Sequence, residues 1–260
     1  MEFTTNLFGL EGKVALVTGA VQGLGFTMAA GLGQSGAKVV FNGRNADKVA
    51  RAKKEYEALG IQAFGYVFDV TDSEEVEIAI AKIEEEVGPI EILINNAGIM
   101  KKAPLEDLED SDWQQVIDIN LTAPFKVAKA VVKRMIPRKS GKIININSMM
   151  SELGRPTVGA YAAAKGGLKM LTKNMAVEWA RHNIQVNGIG PGYHLTAITQ
   201  PLKDNEKFND LLMARTPAKR WGTPEDLVGP AIFLASDASA FVNGHILYVD
   251  GGILASFGDN

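Results

Sequence analysis

The sequence predicts a single α/β domain spanning residues 1–260: a doubly wound, seven-stranded, mainly parallel sheet with helices on both faces. Seven apolar, β-branched runs recur at residues 14–17, 39–41, 63–68, 90–94, 143–146, 184–189 and 246–249, with helix-length segments between most of them. Strands buried on both faces read as such continuous runs, and parallel neighbours need a crossover, usually a helix. Composition agrees, because 46% hydrophobic residues over this length fill one large core and no linker-like stretch divides the chain.

Taken in order, the first run leads into Thr18-Gly19-Ala20-Val21-Gln22-Gly23-Leu24-Gly25 and then a helical pattern from Phe26. Glycines at a strand-to-helix turn let backbone N–H groups approach a pyrophosphate, which the helix N-terminus stabilises. The second run ends in Asn42-Gly43-Arg44, where NAD-binding chains carry an acid for the ribose 2′-hydroxyl. Arg44 suits a 2′-phosphate instead, so NADP is expected as the preferred cofactor with NAD still possible. Helix starts are expected at Asp47, at Ser73 as a capping residue, and at Pro224 as a first helical position. The segment of about 193–217, weakly periodic and mixed in polarity, reads as a substrate lid or a surface excursion.

The fifth run places Ser148 at the carboxyl edge of the sheet, where ligands of open α/β folds bind. Tyr161 and Lys165 stand four apart, on one face of a helix. A free phenol has a pKa of about 10, and a neighbouring cation favours its ionised form. This spacing predicts a tyrosine tuned to exchange a proton with an alcohol or a carbonyl.

Other classes are disfavoured. A net charge of −3 gives no broad electrostatic footprint for nucleic acid. No apolar run approaches the length of about 20 residues that spans a bilayer, and the first six residues lack a signal peptide's basic and apolar regions. With no cysteine there is no disulfide or thiolate site, and His182, His194 and His245 are scattered, so no metal site is expected. A soluble, cytoplasmic enzyme fits this pattern.

With the glycine turn, Asn95-Asn96-Ala97-Gly98, Ser148 and Tyr161-x-x-x-Lys165 all in order, the chain resembles the short-chain dehydrogenase/reductase family over residues 13–252. The resemblance implies a Rossmann-type fold and hydride transfer to or from NADP or NAD. It implies Tyr161 as general acid/base, Lys165 as the residue that lowers its pKa and holds the nicotinamide ribose, Ser148 on the substrate oxygen and Asn120 on a proton-relay water. For the cofactor it implies Gly19, Val21, Gln22, Gly23, Leu24, Gly25 and Arg44, together with Asp69 and Val70, Asn96, Ala97 and Gly98, Tyr161 and Lys165, and Pro191, Gly192, His194 and Thr196. It also implies a homotetramer. Runs 148–155, 160–174, 183–193 and 241–252 are similar to the gluconate-oxidising branch, which implies the reversible conversion of D-gluconate to 5-keto-D-gluconate. Relatives acting on deoxygluconate, hexuronates or 3-oxoacyl thioesters share parts of the pattern, and a nucleotide-sensing binding protein is the non-enzyme alternative. For the sugar acid's carboxylate and hydroxyls the candidates are Lys101, Lys102, Arg155 and His194, alongside Ser148 and Tyr161, with a structural Arg155–Glu152 pairing as the other reading of Arg155.

Overall fold

The computed structural model describes residues 6–257, so all but the last of the six residues read for a signal peptide lie outside the described part. Seven strands form one sheet: β1 (Val14–Val17), β2 (Lys38–Gly43), β3 (Ala63–Val67), β4 (Ile90–Asn95), β5 (Gly141–Ile146), β6 (Ile184–Pro191) and β7 (Ile246–Val249). Their order is β3-β2-β1-β4-β5-β6-β7, and every pairing is parallel. The order reverses direction between β1 and β4, the switch point at which an open sheet forms a ligand crevice.

The helices are α1 (Gly23–Gln34), α2 (Ala46–Ala58), α3 (Ser73–Glu86), α4 (Asp110–Ile117), α5 (Ala123–Arg138), α6 (Gly159–Trp179), α7 (Gln200–Lys203), α8 (Glu206–Arg215) and α9 (Val228–Ala235). Strand alternation divides the core between two faces. Ala15 and Val17 pack with Met28, Leu32, Tyr56 and Leu234 under α1, α2 and α9. Val14 and Leu16 face the opposite cluster, with Ile80, Ile83, Val131 and Met135 from α3 and α5.

One sequence expectation is corrected, and two others gain detail. The cap of α3 is Asp72, whose carboxylate accepts from the Glu74 and Glu75 N–H groups, so Ser73 is already the first helical residue. Pro224 opens a 3-10 turn, Pro224–Leu227, rather than the α-helix, which follows from Val228. The 193–217 segment is structured, since α7 and α8 lie within it and Asn205 caps α8 by accepting from the Phe208 N–H.

On β5, Lys142 is buried with its Nζ 3.5 Å from Ser239 Oγ, and burial pushes its pKa down to about 8. A charged amine there costs stability in full below pH 8, and the cost fades as pH rises towards the unfolded value of 10.5. Lys142→Met is therefore expected to raise the melting temperature at pH 7 by a few degrees, at about 2–4 °C per kcal/mol for a chain of this size. Calorimetry at pH 7 and pH 9 should show the smaller gain at pH 9; equal gains would contradict the account.

Candidate active site

The glycine turn is held by side chains buried behind it. Asn42, at the end of β2, accepts from the Gly19 N–H (2.8 Å) and donates to Phe68 O (2.9 Å). The Thr18 hydroxyl accepts from the N–H groups of Asn96 and Ala97 at 3.0 and 3.1 Å, and the Asn96 amide donates back to Thr18 O (2.9 Å). Gly19 and Gly23 take φ of +65° and +62°, which an L side chain rarely tolerates, and a Cβ on Gly23 would meet nothing within 4 Å. The N-terminus of α1 has no side-chain cap and no acidic residue in its first turn, so its N–H groups remain available to an anion. These features fit the pyrophosphate of a dinucleotide.

At the adenosine end, Arg44 Nη1 lies 3.5 Å from the Asp69 carboxylate. Partial burial works against ionising Asp69, yet hydrogen bonds from the Thr71 N–H and hydroxyl, with Arg44 nearby, hold its carboxyl below the usual range. Val70 is buried in the core beside it.

Ser148 lies two residues past the end of β5, and its Oγ accepts from the Met150 N–H (3.1 Å). Tyr161 and Lys165 rise from the first turns of α6, with Lys165 Nζ 5.6 Å from the Tyr161 ring centroid. Lys165 is buried and donates to Ile146 O at 2.6 Å, so the amine is tied to the end of β5. Burial brings its pKa down to about 7. Burial also pushes the Tyr161 phenol up, against a hydrogen bond with Ser148 that pulls it down. Asn120 sits in a widened π turn, Asp118–Thr122, between α4 and α5, the kind of irregularity common at functional sites. Its amide donates to Val116 O (2.9 Å) and Ile99 O (2.8 Å), while its buried Oδ1 has no protein partner. Gly98 lies against that oxygen, because a Cβ there would come within 2.8 Å of it. An unpartnered buried acceptor of this kind is suited to a bound water.

A family model described as enoyl-(acyl carrier protein) reductase matches residues 19–254. The chain belongs to the short-chain dehydrogenase/reductase family. It is 61% identical to the 2-dehydro-3-deoxy-D-gluconate 5-dehydrogenase of Formosa agariphila, over 98% of this chain and 97% of that one. It is 53% identical to the gluconate 5-dehydrogenase of Gluconobacter oxydans, over 96% of this chain and 98% of the relative. A crystal structure of a gluconate 5-dehydrogenase from Burkholderia cenocepacia, in complex with NADP and tartrate, superposes with a TM-score of 0.94 at 49% identity, covering 96% of this chain and 98% of that one. Among the described residues no helix is long and apolar enough to cross a membrane.

Not every expected residue of this short-chain dehydrogenase converges on Tyr161. Lys101 pairs with Asp112 on α4 at 3.2 Å, and Lys102 is exposed. Arg155 does not pair with Glu152, which instead accepts from Lys169 (2.7 Å) and Tyr248. Arg155 donates to the Tyr193 hydroxyl at 2.8 Å and lies over the Phe208 ring, so it joins the loop after Ser148 to the 193–217 segment. His194 is buried with its Nδ1 3.4 Å from Gly192 O, and burial keeps it neutral by lowering its pKa. Its ring packs on Gly222 and lines a cavity of about 140 Å³ with Thr216, Arg220, Asp226 and Asp250, whose walls include neither Ser148 nor Tyr161. Thr196 is tied into a local turn through Thr199.

The sequence reading missed the supports of the site. Asn95 donates to Asn145 Oδ1, and Asn145 donates to Thr172 Oγ1, each at 2.9 Å. This buried chain connects β4 and β5 to α6 two turns beyond Lys165. The available signal was an Asn at alternate positions in the otherwise apolar run Ile143-Ile144-Asn145-Ile146-Asn147, since a buried amide has to be hydrogen-bonded.

Proposed function

We propose that the protein interconverts D-gluconate and 5-keto-D-gluconate with NADP as the preferred hydride carrier. The observation that carries the chemistry is the buried Lys165 amine behind Tyr161, tied to Ile146 O and set beside Ser148 at the carboxyl edge of the sheet. NADP held along the glycine turn would supply a hydride acceptor at nicotinamide C4. Ser148 orients the C5 hydroxyl, and Tyr161 takes its proton. Lys165 holds the charge that makes the phenol a base, and Asn120 anchors the water through which the proton leaves. Gly19 to Gly25 cradle the pyrophosphate, and Arg44 meets the 2′-phosphate. Asp69 and Val70 would hold the adenine, Asn96 to Gly98 the adenine-side ribose, and Pro191, Gly192, His194 and Thr196 the nicotinamide carboxamide and pyrophosphate.

The 193–217 segment acts as the lid, docked on the Ser148 loop through Arg155 and Tyr193. Arg155 is the strongest carboxylate partner for the sugar acid, because it already sits between loop and lid; Lys102 and Lys101 stand at the mouth. The protein works in the cytoplasm as a homotetramer in this reading. Exposed Met170 and Val177 along α6 and Phe125 on α5 support an interface there, and sedimentation as a monomer would remove that part.

A second reading is favoured by the 61% identity to a 2-dehydro-3-deoxy-D-gluconate 5-dehydrogenase. Both reactions oxidise C5 of a six-carbon acid and differ in what stands at C2 and C3. Parallel kcat/KM measurements on the two acids decide between them: a higher value for D-gluconate supports the first reading, and a higher value for the deoxy acid replaces it.

A further inference from the structure

We propose that Val21 sets the cofactor preference by forcing residue 43 to be glycine, which keeps a carboxylate away from the end of β2. This inference rests on the NADP reading above and explains how the chain enforces it. A Cβ on Gly43 would lie 2.6 Å from Val21 Cγ1 and 3.2 Å from Val49 Cγ2. The first distance is closer than real Cβ contacts come, and valine is stiff about χ1, so the neighbour does not simply turn aside.

Nor can the surrounding structure retreat. Val21 belongs to the glycine turn, whose backbone is pinned at the two residues just before it. The Gly19 N–H donates to Asn42 Oδ1 (2.8 Å), and the buried Tyr56 hydroxyl donates to Ala20 O (2.8 Å). Tyr56 is itself clamped, stacked on Phe26 with ring centroids 4.3 Å apart and tilted on Phe41 at 4.9 Å. Val49 is held from its far side, because its other methyl lies over Gly65, where a Cβ would be only 2.5 Å away. Any side chain at residue 43 therefore pushes on the phosphate-binding turn.

The consequence is chemical. NAD is gripped by an acid at the end of β2, and NADP is repelled by one. Here Asn42 is buried and used up in bonds to Gly19 and Phe68, residue 43 has room only for hydrogen, and the first side chain able to reach the ribose is Arg44, 60% exposed and 3.5 Å from the Asp69 carboxylate. Val21 is thus a specificity-determining residue that acts through Gly43.

The test is fluorescence titration of NADPH and NADH binding to the wild type, Val21→Ala, Gly43→Asp and the double variant, with melting temperatures alongside. The wild type is expected to favour NADPH by about tenfold or more, and Val21→Ala to keep that ratio while weakening both cofactors. Gly43→Asp is expected to weaken both cofactors, and adding Val21→Ala to restore NADH binding and reverse the preference. If Gly43→Asp alone binds NADH as tightly as the double variant, the steric lock is wrong. If the wild type binds NADH as tightly as NADPH, the NADP reading itself fails. Should Gly43→Asp not fold, the pair Gly43→Ala and Gly43→Ala/Val21→Ala replaces it. The first should lose NADPH affinity and the second recover it, and wild-type affinity in Gly43→Ala would overturn the inference.

Discussion

Tyr161→Phe is expected to lower kcat for sugar-acid oxidation by about 10²–10⁴-fold, the usual worth of a positioned general acid/base, with NADPH affinity unchanged. The substitution keeps the ring that packs against Ala160, Ala164 and Val116 at the α4–α6 contact, and deletes only the hydroxyl that shares a hydrogen bond with Ser148. The groups assigned to the cofactor's phosphates lie on the glycine turn and Arg44, away from that oxygen. Fluorescence titration and initial rates on the same preparation separate the two effects. Turnover near the wild-type level would reject the proton-transfer role.

Lys165→Met is expected to be comparably damaging and to move the pH profile. Burial lowers the Lys165 pKa to about 7, and burial raises that of the phenol against the Ser148 hydrogen bond. Oxidation needs the deprotonated phenol, which the Lys165 cation favours, so its rate rises with pH. Reduction needs the protonated form and falls as pH rises. With methionine in place of the amine no cation remains beside Tyr161, and the oxidation limb moves to the phenol's own raised value. The change also leaves Ile146 O without its donor, at a cost of about 1–3 kcal/mol in stability. Rates of oxidation between pH 5 and 10 check this; an unshifted limb in the variant would separate Lys165 from the proton step.

Much of this arrangement was legible in the residues themselves. Each predicted strand falls within two residues of an observed one at either end, because apolar runs bounded by polar turns are set by burial on both sheet faces. Ser148, Tyr161 and Lys165 come together because one follows a strand end and the other two share a helix face, both local properties. What was not legible depends on distant partners. Arg155 finds Tyr193, 38 residues away, while its neighbour Glu152 is taken by Lys169 and Tyr248. The π turn holding Asn120 leaves no periodic trace in five residues, and its amide bonds to Val116 O and Ile99 O become visible only once the chain folds. The α3 cap was displaced by one residue, since Asp72 and Ser73 are both capping types and only geometry chooses between them. The helices of the 193–217 segment escaped notice because α7 is a single turn and α8 buries only Leu212.

The most direct test of the proposed chemistry is the initial rate of NADP reduction with D-gluconate, measured beside NAD and beside simple alcohols that lack a carboxylate. Turnover with gluconate and NADP, weaker with NAD and negligible with the simple alcohols, is the expected result. Silence with gluconate and with 2-dehydro-3-deoxy-D-gluconate, while a simple alcohol is oxidised, would contradict the sugar-acid assignment.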